Sequence, residues 1–217
     1  MPVLNIVTET VANSTHLRQV MGVTNARYYN AQYEAVSDEE LMVNYSLGDT
    51  EAFDELYHRN KGTLYRYFLR QTRQTALAEE FTHEVWLRVI NARNQYLPKA
   101  RFTTYLYQIA HNCLIDHYRK LSTKQEVDCD EQVIDSMPAN NGDPETVAGH
   151  DQVQRALLQL IQELPAEQRE VFILKEEANL SIEEIANIVT ENPETVKSRM
   201  RYAMQKLKAG MQEYLNR

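Results

Sequence analysis

Apolar residues recur at helical spacing through most of this chain, and they fall into two separate runs. Ser37-Asp38-Glu39-Glu40 opens the first run as a capping box: the Ser37 hydroxyl and the Glu40 carboxylate close the first open amides of a helix. Phe53, Leu56, Tyr57, Leu64, Tyr67 and Phe68 then recur at three-, four- and seven-residue steps, one apolar stripe on an amphipathic helix. Ala78, Phe81, Val85, Leu87 and Val89 predict a third helix over roughly residues 75–94. Pro98 breaks the pattern, and Leu106, Ile109, Ala110, Cys113 and Leu114 carry a fourth helix over residues 103–120. Residues 37–120 therefore predict a helical bundle large enough for a modest core.

The second run predicts helices over about 152–163, 166–177, 181–189 and 193–214. Ser181 can cap a short helix whose Ile182, Ile185, Ala186 and Val189 share one face. Asn192 can cap the next, with Pro193 at its first position, where a missing amide costs nothing. Short helix, tight turn and long helix make a helix-turn-helix, whose second helix enters the DNA major groove. On that helix Val196, Met200, Ala203, Leu207 and Met211 fall on one side. Glu194, Ser198, Tyr202 and Gln205 fall opposite, flanked by Lys197, Arg201 and Lys208 on one edge and by Arg199 and Lys206 on the other. Hydrogen-bonding side chains in the middle suit base edges, and cations at both edges suit the phosphates of the groove walls.

Charge changes this picture in one respect. The 217 residues carry 23 Lys+Arg against 31 Asp+Glu, a net charge of −8, which alone argues against a nucleic-acid binder. Residues 121–150 hold seven of the acids and one base, Lys124. Six of the eight excess negative charges therefore sit in a stretch that also contains Asn-Asn-Gly-Asp-Pro and no sustained helical period. That stretch reads as a flexible acidic linker between residues 37–120 and residues 151–217. From Thr195 to Lys208 there are five cations and no carboxylate. Residues 1–36 show no strong period and are treated as an N-terminal extension of unknown role.

The expected fold class is all-α, two small helical domains joined by that linker. Six Gly and six Pro disfavour a turn-rich β architecture. No run of 18 apolar residues predicts a helix across a membrane, and MPVLNIVTETVANS has neither the basic nor the apolar part of a secretory signal. Two cysteines, Cys113 and Cys129, make no disulfide framework, so a cytoplasmic location is the expectation. No phosphate-cradling loop, dinucleotide motif or paired-cysteine zinc spacing is present. His111, Cys113, Asp116 and His117 are close in sequence but scatter around the helix, so no metal or other cofactor is expected.

Taken in order, AFDELYHRNKGTLYRYFLRQT, AEEFTHEVWLRV and FTTYLYQIAHNCLIDHYRK in the first half, and LPAEQREVFILKEEANLSIEEIANIV and TVKSRMRYAMQKLK in the second, resemble the sigma-70 family. The compact arrangement is similar to its extracytoplasmic-function type, with region 2 over about 38–120 and region 4 over about 152–212. The resemblance implies a promoter-specificity subunit of bacterial RNA polymerase and not an enzyme. It implies contact of Glu80, His83 and Glu84 with the clamp helices of the large polymerase subunit, with the flap region as a further polymerase contact. It implies capture of the −10 element by Tyr96, Lys99, Arg101, Phe102 and Tyr105, with Asn112, Arg119 and Lys120 following on the next helix. Aromatic stacking planes beside cations also suit melted DNA on chemical grounds. For the −35 element it implies Glu194, Thr195, Lys197, Ser198 and Arg199, then Arg201 and Tyr202. The family often has Gln at His83, Trp at Tyr105, and Gly near Thr190 and at Glu194. A carboxylate at 194 can accept from a cytosine amino group, which would make the base preference unusual. An anti-sigma partner is also implied; no small-molecule substrate and no membrane insertion are expected. The alternative from the residues alone is a stand-alone helix-turn-helix regulator whose first domain senses or dimerises.

Overall fold

A computed structural model describes residues 31–124 and 144–216, with side chains for 32–121 and 152–216. All regular structure among the described residues is helical, and the chain divides into two compact units. The first is built from α1 (Asp38–Ser46), α2 (Thr50–Thr72), α3 (Thr75–Asn91) and α4 (Phe102–Lys124). The second is built from α5 (Pro144–Gln162), α6 (Ala166–Glu176), most of α7 (Ile182–Val189), and α8 (Pro193–Leu215).

In the first unit the capping box forms. Ser37 Oγ accepts from the Glu40 amide at 3.2 Å, and Glu40 Oε2 accepts from the Ser37 amide at 3.0 Å. Gly48, at φ +108, turns the chain in a conformation that side-chain-bearing residues avoid. Asp49 then caps α2 by accepting from the amides of Glu51 and Ala52, each at 3.1 Å. α2 packs on α1 and α3, and α3 packs on α4. Leu41, Met42, Leu56, Leu64, Tyr67, Phe68, Phe102 and Leu106 lie wholly out of solvent in the core. Each such side chain is worth about 1.5–3 kcal/mol over its exposed state.

Arg59 ties the chain ahead of α1 onto this core. Its guanidinium donates to the carbonyls of Tyr33 (2.6 Å) and Val36 (2.7 Å), and to the carboxylates of Asp38 (3.1 Å) and Glu55 (2.7 Å). The Tyr33 hydroxyl donates to Asp49 at 2.8 Å. Gln32, Tyr33 and Val36, in the stretch taken from the sequence as an extension without period, are therefore tied to the bundle.

The helix boundaries differ from the expected ones in three places. α3 stops at Asn91, and a short 3-10 turn, Arg93–Gln95, covers the rest of the stretch expected to be helical. α4 continues to Lys124, and α5 starts at Pro144, so residues at both ends of the expected linker are helical. Proline is suited to a first helical position, which hides a helix start from a reading that treats Asp-Pro as loop. The rest of the acidic stretch lies outside the described residues. Leu87, placed on the buried stripe of α3, is 45% exposed, while Trp86 is buried beside Phe81, Val85 and Val89. Residue 87 sits about 200° from Val85 around the helix, so it cannot share that face.

In the second unit α8 packs on α5 and α6. Gly210 allows the approach to α5: a Cβ built there would lie 2.4 Å from a Leu160 methyl carbon. A second capping box starts α7, with Ser181 Oγ accepting from the Glu184 amide at 3.1 Å and Glu184 Oε2 from the Ser181 amide at 2.7 Å. Thr190 ends α7 in the left-handed region at φ 54. Asn192 Oδ1 then accepts from the Glu194 amide at 2.9 Å, and Pro193 is the first residue of α8. Val196, Ala203, Leu207 and Met211 are buried and Met200 is half-buried, the face that the wheel places inward.

Candidate functional site

Three exposed surfaces gather the residues singled out from the sequence. On α3, Glu79, Glu80 and His83 are exposed, opposite the buried Ala78, Phe81, Val85 and Val89. Glu84 is half-buried and pairs with Arg88 one turn on. Leu87 stands one turn beyond His83, so this face ends in an uncovered aliphatic side chain among acids.

The second surface lies where Tyr96 meets the start of α4. The rings of Tyr96 and Tyr105 are 5.3 Å apart and inclined at 64°. Both tyrosines are half-buried. Burial, reinforced by the carboxylate of Glu39, pushes the Tyr96 phenol up to about 12, and its hydroxyl is a buried oxygen with no hydrogen-bond partner. Lys99 and Arg101 are exposed on the connecting loop.

Phe102, expected to stack on DNA with these rings, is instead core. It is wholly buried, with Trp86 at 6.5 Å, Tyr105 at 6.1 Å and Tyr96 at 6.3 Å between ring centroids. Its amide, the first of α4, donates to Glu39 Oε1 at 2.5 Å. A carboxylate from α1 thus sits on the positive end of α4 and fixes where that helix begins. The physical reason is positional: Phe102 stands four residues before Leu106 and eight before Ala110, so its ring falls on the buried face of α4. Asn112, Arg119 and Lys120 are exposed along α4, and Arg119 lies 3.7 Å from Asp116. Tyr105, Asn112 and Arg119 are spaced by seven residues and share one side of the helix. Tyr107 is core, and the Tyr118 hydroxyl donates to the Gln71 carbonyl at 3.4 Å.

The third surface is the outer side of α8. Glu194, Lys197, Arg201, Tyr202, Lys206 and Lys208 are exposed, and Thr195 and Ser198 are half-buried. Lys197 Nζ donates to Glu194 Oε1 at 2.7 Å, which holds the lysine above its ordinary value. The Arg201 guanidinium lies 5.2 Å from the Tyr202 ring centroid. Arg199 departs from the even cationic edge drawn on the wheel. Its Nη2 is 2.7 Å from Glu167 Oε2 on α6 and 2.9 Å from Glu191 Oε1 in the turn, and the side chain is only 18% exposed. Neither acid was legible as a partner: Glu191 stands 8 residues back in the turn, and Glu167, 32 residues away, is brought in by the packing of α8 on α6.

Cys113 and Asp116 point to different surroundings, as their helical angles require. Cys113 is buried with its thiol pushed up to about 11, whereas the Asp116 side chain is 46% exposed. His117 packs edge-on against Phe81 at 5.0 Å.

One unit thus carries a helix-turn-helix with exposed cations on its second helix, and the other a pair of tyrosine rings followed by exposed cations. Residues 56–123 match Sigma-70 region 2, and residues 154–207 match Sigma-70, region 4, together more than half of the chain. The chain belongs to the sigma-70 family, and it is a sigma factor of the extracytoplasmic-function class, not an enzyme. It is 29% identical over 156 residues to the ECF RNA polymerase sigma factor SigM of Bacillus subtilis, spanning 72% of this chain and 93% of that one. The RNA polymerase sigma factor CarQ of Myxococcus xanthus is 28% identical over 77% of this chain and 93% of its own. The ECF RNA polymerase sigma factor BldN of Streptomyces coelicolor is 28% identical over 73% of this chain, and the match spans 60% of that longer protein. The fold is similar to that of the sigma factor RpoE of Bartonella quintana, in a co-crystal with the anti-sigma factor NepR (TM-score 0.61, 18% identity, 75% of this chain and 98% of that one). It is also similar to CnrH in complex with the cytosolic domain of CnrY (TM-score 0.56, 19% identity, 79% and 95%). A sigma factor directs core RNA polymerase to promoters, and the stand-alone regulator reading accounts for the second unit only. Among the described residues no helix is long and apolar enough to cross a membrane.

Proposed function

We propose that the three surfaces divide the work of promoter recognition in this protein. The exposed face of α3, with Glu80, His83 and Glu84, docks on the clamp helices of polymerase, while the second unit reaches the flap region. The rim of Tyr96 and Tyr105, with Lys99 and Arg101, holds single-stranded −10 bases. Asn112, Arg119 and Lys120 then guide the strand along α4. The outer side of α8 reads the −35 duplex through Glu194, Thr195, Lys197, Ser198, Arg201 and Tyr202. The observation that carries this division is the half-buried pair Tyr96–Tyr105, two rings in contact, with the exposed cations Lys99 and Arg101 on the loop between them. A stacked base gains about 1–3 kcal/mol on such a platform, irrespective of its identity.

An anti-sigma protein is the further partner, supported by the family and by the resemblance to RpoE, which was crystallised with one. The site of action is the bacterial cytoplasm. Run-off transcription with core enzyme on a randomised promoter library tests the reading. Enrichment of templates with paired −35 and −10 elements is expected, and initiation no higher than that of core alone would refute it.

A further inference from the structure

We propose that Glu167 and Glu191 set the duplex affinity of α8 by holding Arg199 away from DNA phosphate. The inference rests on the reading of α8 as the −35 helix and deepens it. A helix-turn-helix enters the major groove by the N-terminal part of its second helix. In this chain that end is where the carboxylates are. Arg199 spans two of them through a single nitrogen, at 2.7 and 2.9 Å, from two different elements, and shows little of itself to solvent. Lys197 is paired as well, with Glu194 at 2.7 Å.

The two pairings are not equivalent. Lys197 and Glu194 are both exposed, and such a pair contributes little and yields readily to a phosphate. Arg199 is held between α6 and the turn, so releasing it means giving up a charge-assisted hydrogen bond to Glu191 and an ion pair to Glu167 at once. The leading end of α8 therefore carries three carboxylates against two cations. The exposed cations Arg201, Lys206 and Lys208 lie further along. Any duplex approaching the groove-entering end meets acid before base. Binding then depends on the effective concentration that polymerase supplies by tethering the unit near its site.

The test is a fluorescence-anisotropy titration of the full-length protein with a labelled duplex of random sequence, repeated over a series of salt concentrations. Glu167→Gln with Glu191→Gln is expected to bind several-fold tighter. The slope of log affinity against log salt should steepen by about 0.9, the value for one added phosphate contact. Adding Arg199→Ala to that pair is expected to abolish both gains. A gain that survives Arg199→Ala would overturn the proposal, because the acids would then act by general repulsion alone. An unchanged slope in the glutamine pair, with its thermal melt intact, would overturn it equally. Should the pair unfold, Glu167→Gln alone serves, since that carboxylate is 71% exposed. The underlying reading fails separately: if Arg201→Ala with Lys206→Ala and Lys208→Ala leaves the affinity of the parent chain unaltered, α8 is not the DNA-binding helix.

Discussion

Phe102→Ala separates a core role from a DNA-stacking role, and the molecule carries its own probe for the measurement. Phe102 has no exposed surface and sits among the rings of Trp86, Tyr96 and Tyr105. Removing a buried phenyl ring costs about 3–5 kcal/mol, transfer and cavity terms together. Each lost aromatic pair belongs to the upper part of that range, being worth about 0.5–1.5 kcal/mol beyond its area. For a unit near 100 residues, 3 kcal/mol corresponds to a fall in melting temperature of more than about 12 °C. In urea, with a slope of about 1–3 kcal/mol per molar, the midpoint falls by about 1–3 M. Trp86 is the chain's single tryptophan, 3% exposed and 6.5 Å from Phe102, so its fluorescence reports the first unit without contribution from the second. A variant whose Trp86 unfolding midpoint is unchanged, yet which no longer opens promoters with core enzyme, would refute the assignment of Phe102 to the core.

Three further outcomes are expected. Tyr105→Ala leaves the Trp86 midpoint within about 2 kcal/mol of the parent because its ring is only half-buried, but open-complex formation, read by permanganate reactivity of melted thymines, drops about 5- to 150-fold, the equivalent of one lost stack. Undiminished reactivity removes Tyr105 from the −10 surface. Thr190→Gly raises the stability of the second unit by up to about 1 kcal/mol in calorimetry, since a β-branched residue at φ 54 is strained and the exposed Thr190 side chain packs little; a lower melting temperature contradicts this. Burial pushes the Cys113 thiol up to about 11. Its unfolded counterpart ionises near about 8.5, so the contribution is intact below that pH and is lost as pH rises towards 11. The parent should therefore lose about 1 kcal/mol more than Cys113→Ala between about pH 7 and pH 9.5, and parallel pH profiles would count against a buried neutral thiol.

The amino-acid order by itself determined the helical elements, the capping box at Ser37, the cap at Ser181, the turn and cap that start α8, and the inward face of that helix. These depend on residues within a turn or two of one another, where spacing and side-chain chemistry act directly. The acid–His83 face of α3 was legible for the same reason. What only the tertiary structure decided involves residues far apart in the chain. The Phe102 amide finds its acceptor in Glu39 of α1, at 2.5 Å, and its ring meets Trp86 of α3. Arg199 looks like one more cation on a basic edge until α6 brings Glu167 within 2.7 Å of it. A helical wheel gives the direction in which a side chain leaves its own helix. Whether that side chain meets water, DNA or an opposing charge depends on which neighbour packs there, and packing of separate elements is not written in the period of either one.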